Sequence, residues 1–87
     1  MSEQHSKLEL LEQTLGRLKD LHHTYVSLAE KLAKSQAEAT AAGLQTIADQ
    51  LSKPFSSASD SAKLLESIVH DTEIERNKLR AESSAAA

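Results

Sequence analysis

From Leu44 to Leu79 the apolar and small residues fall in an unbroken alternation of four- and three-residue steps: Leu44, Ala48, Leu51, Phe55, Ala58, Ala62, Leu65, Val69, Thr72, Arg76 and Leu79. Such a row, about five heptads long, is the seam of an α-helix that lies lengthwise against another helix. It runs straight through Pro54, the only proline, and through the serine-rich stretch from Ser56 to Ser61. The row therefore points to an all-α, coiled-coil-like protein before anything else is known of the chain.

A second row precedes it. Ser6 followed by Glu9 has the spacing of a capping box, and Leu8 opens the apolar periodicity behind it. Leu8, Leu11, Leu15 and Leu18 keep strict heptad spacing, after which two continuations compete. One carries on through His22, Tyr25, Ala29 and Leu32; the other shortens one step and uses Leu21, Tyr25, Leu28 and Leu32. The second has more apolar bulk, so Leu21 and Leu28 are expected to be at least partly buried. Leu10 and Val26 flank the row and widen it, which suits a bundle with more than one neighbouring helix. Gly16 costs about 1 kcal/mol relative to Ala inside a helix; it is either a point of close helix approach or a tolerated surface glycine.

Between the rows, residues 35–43 carry no bulky apolar side chain and end in Gly43. A helix ending near Ala42 with Gly43 as its left-handed cap leaves two arms, 7–42 and 44–80, each about 54 Å long at 1.5 Å per residue. Short connections usually join antiparallel neighbours, so a long antiparallel helical hairpin is expected rather than one unbroken helix paired with a separate chain. Pro54 should kink the second helix or break it. A break would give three helices near 7–35, 37–52 and 60–82. The expected organisation is one domain over 7–82 between disordered ends at 1–6 and 83–87. In the hairpin register Leu18 should meet Ile68 and Val69, Tyr25 should meet Ala62, and Phe55 should lie near Leu28 to Leu32.

Composition sets the limits of such a fold. Thirteen Ala and thirteen Leu supply most of the apolar residues, with one Phe and one Tyr, and there is no Cys. A core of this kind is thin and lacks a disulfide or thiolate staple, which favours association with further helices. The net charge of −3, from 13 acidic and 10 basic residues, includes no basic tract of the kind that neutralises phosphates, so no nucleic-acid partner is expected. No apolar run is long enough to span a bilayer. The first residues lack the pattern of a secretory signal, so a cytoplasmic or nuclear protein is expected.

Chemistry finds little purchase. His22 and His23 are adjacent and point about 100° apart on a helix, and His70 sits at a different level, so no metal site is expected. There is no Gly-rich phosphate loop and no nucleophile beside a base; neither catalysis nor a cofactor is expected. Ser56, Ser57, Ser59 and Ser61 are either a solvated face or sites where phosphorylation would disturb packing. The expectation is a non-enzymatic module that self-associates or docks into a larger helical complex. Its partner-binding residues, on the seam and its flanks, are Leu10, Leu15, Leu18, Leu21, Val26, Ile47, Leu51, Phe55, Leu64, Leu65, Ile68 and Val69, with Ile74 a further flanking candidate. The alternative is peripheral membrane binding through 40–62, where a Ser/Thr/Gln face lies opposite Leu44, Ile47, Leu51 and Phe55.

Overall fold

The structure, a computed structural model, describes residues 2–86, with side-chain surroundings for 6–83. Helix α1 spans Ser2–Ala41 and helix α2 spans Gln45–Ala86. They pack against each other as an antiparallel hairpin, a rod of 65 × 14 × 13 Å. Both helices run beyond the ends read from the sequence: α1 starts ahead of the Ser6 cap, and α2 passes 82 into its Ala-rich end. Ala is the best helix former. Met1 and Ala87, the outermost parts of the ends expected to be disordered, lie outside the described residues.

The turn is made by backbone geometry. Gly43 has φ +77°, in the left-handed region that favours glycine. Its N–H donates to the Thr40 carbonyl at 3.1 Å, and the Leu44 N–H donates to the Ala39 carbonyl at 2.8 Å. These two bonds are the Schellman termination, which satisfies carbonyls left open at a helix end. The Leu44 carbonyl then accepts from the Ala48 N–H at 3.0 Å and begins α2. A Cβ at position 43 would touch nothing within 4 Å, so only the backbone resists substitution. Gly43→Ala is expected to lower stability by about 1 kcal/mol, with Gly43→Asn costing less; thermal unfolding followed by circular dichroism measures both.

Helix α2 continues through Pro54, so the three-helix alternative does not form. Nor do the dimensions call for a bend. Forty-two residues rising about 1.5 Å each give about 63 Å, close to the 65 Å extent of the whole rod. Pro54 and Gln50 are both exposed. At this exposed position the Gln50 carbonyl, which the proline ring deprives of its helical donor, can bond to water instead. Within the hairpin the proline makes no visible packing contribution, so at low protein concentration, where the chain is a single hairpin, Pro54→Ala is expected to raise stability by about 1–3 kcal/mol. A lower melting temperature for this variant would contradict the assignment.

The α2 row is the face turned towards α1. From Ala48 to Leu79 each of its positions is buried or half-buried, and only Leu44, at the turn, is exposed. In α1 the straight heptad continues. His22 and Ala29 are half-buried, whereas Leu21 and Leu28 are exposed, which corrects the expectation drawn from their bulk. With a single neighbouring helix, the 3.5-residue period decides which residues face it, and a three-residue step would overwind the pair locally. Gly16 is exposed and a Cβ there would meet nothing. It is a surface glycine, not a close approach of two backbones.

The core between the helices is thin, as the composition implies. Its buried members are Leu15 at 3% exposure, Ala48 at 1%, and Ala39, Ala58 and Ala62.

Candidate interaction surface

Cross-helix bonds fix the register. Gln36 Nε2 donates to the Ala48 carbonyl at 3.0 Å and to Ser52 Oγ at 3.3 Å. Farther from the turn, Lys19 Nζ lies 3.6 Å from Glu73 Oε2, and Arg80 donates to Glu12 Oε1 at 2.7 Å. Laying the two rows antiparallel in this register sets Leu32 opposite Phe55, Tyr25 opposite Ala62, His22 opposite Leu65, Leu18 opposite Val69 and Leu15 opposite Thr72. Large residues mostly oppose small or polar ones. That is how two helices can lie close without an aromatic or Leu-filled core.

Calling the row positions a and d, the e residues flank the seam on one side and the g residues on the other, with the c residues beyond g. The e flank is charged towards the open end of the hairpin and apolar in its middle. It carries both interhelical ion pairs, whose solvent exposure makes their contribution to stability small. It also carries a shallow open groove of about 350 Å³ floored by Val26, Ala29, Ala33, Phe55 and Ala62 and edged by His22, Glu30, Lys63 and Glu66. The g and c flank is different. Leu10, Leu21 and Leu28 of α1 and Ile47, Leu64 and Ile68 of α2 fall there, and all are exposed.

The residues proposed for partner binding thus divide by position. Leu15, Leu18, Leu51, Phe55, Leu65 and Val69 belong to the seam between α1 and α2, buried or half-buried. Leu10, Leu21, Ile47, Leu64 and Ile68 share the exposed g and c flank. Val26 is half-buried on the opposite flank, in the groove. Ile74 is exposed on the side of α2 away from α1, so it does not join either flank. Leu28 belongs with the exposed set. The signal that separates the flanks is present in the sequence: the heptad letter of each flanking residue tells which side it takes once a straight register is assumed.

Elsewhere the molecule offers little chemistry. Among the described residues there is no group of three or more His, Asp or Glu side chains placed to hold a metal ion. No buried side-chain nitrogen or oxygen lacks a hydrogen-bond partner among the described residues. No described helix is long and apolar enough to cross a membrane. The apolar side of residues 40–62 is largely engaged: Ala48 and Ala58 are buried and Leu51 and Phe55 half-buried, leaving Leu44 and Ile47 exposed. No protein-family model matches the sequence, and neither a curated protein nor a solved structure matches it.

Among the described residues Leu15 is the one large side chain that the hairpin buries. Leu15→Ala removes it from a core with nothing in reserve and is expected to cost about 2–3 kcal/mol, the lower part of the range for such truncations. The same change at exposed Leu64 should cost well under 1 kcal/mol in the isolated hairpin. Parallel chemical-denaturation curves at low protein concentration measure both.

Proposed function

We propose that this chain is a non-enzymatic assembly module that presents the g and c flank of its hairpin to another protein. One observation supports the reading above the rest. The hairpin buries mainly Ala in its seam while leaving Leu10, Leu21, Leu28, Ile47, Leu64 and Ile68 exposed along a single side. Exposed large apolar side chains gathered on one side of a small helical rod are the kind of surface on which another protein docks. The surface ion pairs on the opposite flank give the module a charged side towards its open end, as suits a helix pair at the edge of a bundle. The partner is another helical protein surface, a second copy or a different chain. An evenly charged, Cys-free chain fits the cytosol or nucleus.

Site-specific photo-crosslinking in cells tests this. A photoreactive phenylalanine analogue at position 64 is expected to give protein adducts, while the same group at Glu9, on the polar side, gives few. Equal labelling from both positions would refute an assembly face. Adducts to lipid alone from position 64, with binding of the purified chain to neutral, highly curved liposomes, would favour the membrane instead.

A further inference from the structure

The exposed flank is self-complementary, and we infer that its occupant is a second copy of this chain, forming a two-fold four-helix bundle; this rests on the assembly reading above and names its partner. In the hairpin register Leu21 of α1 lies level with Ile68 of α2, and Leu28 and Leu64 lie within about two turns of them. Both helices therefore supply apolar side chains to the same level of the same face. A two-fold axis parallel to the rod lays α1 of one copy against α2 of the other, so that Leu21 meets the second copy's Ile68 and the reciprocal contact forms by symmetry. That is the property an isologous interface needs. It also makes every neighbouring helix pair antiparallel.

Charge agrees with this arrangement. Arg17 of α1 and Asp71 of α2 occupy c positions at nearly the same level, on the two outer edges of the face. Both are exposed, and neither takes part in an ion pair among the described residues. Across the proposed axis Arg17 faces the second copy's Asp71, twice. Area agrees as well. The exposed fractions of Leu10, Leu21, Leu28, Ile47, Leu64 and Ile68 are 59, 47, 44, 48, 64 and 42%. At about 180 Å² for a whole Leu or Ile residue they leave on the order of 550 Å² per chain, most of the roughly 800 Å² that each partner contributes to a standard interface. The neighbouring Thr14, Thr24 and Ser61 supply more.

Sedimentation equilibrium of the purified chain, with circular dichroism on the same samples, tests the inference. At about 10–100 μM the chain is expected to be a helical dimer. Ile68→Glu should yield a monomer of unchanged helicity, because Ile68 is outside the seam of the hairpin. Arg17→Asp and Asp71→Arg should each weaken the dimer about tenfold, and the double variant should restore it, since it recreates both pairs with reversed sign. A monomer at 100 μM overturns the inference, as does a dimer indifferent to Ile68→Glu or a charge reversal that is not rescued. A wild-type monomer that still gives protein adducts from position 64 refutes only the second copy as partner; a monomer without them removes the assembly reading too.

Discussion

Two helices can bury only one line of side chains between them, and everything in this molecule follows from where that line runs. The rows of α1 and α2 share a 3.5-residue period, so they stay in contact over the full hairpin only in a straight, antiparallel register. The turn sets that register. Gly43 in its left-handed conformation closes α1 and lets Leu44 start α2, which brings Ala39 and Ala48 together as the first buried pair of positions. Gln36 then ties the helices just beyond the turn through the Ala48 carbonyl and Ser52. A neutral amide bridging the two helices is a specifying contact more than a stabilising one, because its net worth is about 1 kcal/mol.

The same constraint explains how thin the core is and why it is polar in places. Ala58 and Ala62 fill the seam where larger residues would force the helices apart, and half-buried His22, Thr72 and Arg76 occupy positions that a self-sufficient coiled coil would give to Leu or Ile. Further large aliphatic side chains lie beside the seam and stay exposed on the g and c flank: Leu10, Leu21, Leu28, Ile47, Leu64 and Ile68. The opposite flank carries the ion pairs Lys19–Glu73 and Glu12–Arg80 at its surface.

The fold was legible in the sequence wherever a single physical rule decided the outcome. The α2 row predicted the buried face of that helix residue by residue, from Ala48 to Leu79, because one period and one neighbour leave no choice. The turn was legible because glycine after an alanine-rich helix end has a specific backbone use. The row of α1 was misread at Leu21 and Leu28, where bulk and period disagree; with only one neighbouring helix, period wins and the bulk is left in solvent. Pro54 leaves a kinked continuous helix or a break open from the sequence, with the continuous helix favoured; α2 is continuous, since a proline at an exposed position forfeits one hydrogen bond whose carbonyl water can satisfy. The flanking residues were recognised as apolar but not sorted by side, since sorting them requires the register that Leu21 had left ambiguous. Val26 and Leu64 consequently looked equivalent and lie on opposite flanks.

The account depends on the antiparallel register holding far from the turn, where no backbone bond enforces it. Spin labels at exposed Glu9 and Lys78 measure this by dipolar electron resonance, with labelled chains diluted in unlabelled ones so that only distances within a chain count. The register places these residues level with each other on neighbouring helices, and a narrow distribution near about 20 Å is expected for axes about 10 Å apart with label tethers added. A distance near 100 Å, as in one unbroken helix rising about 1.5 Å per residue, or a broad distribution without a short component, would contradict the account.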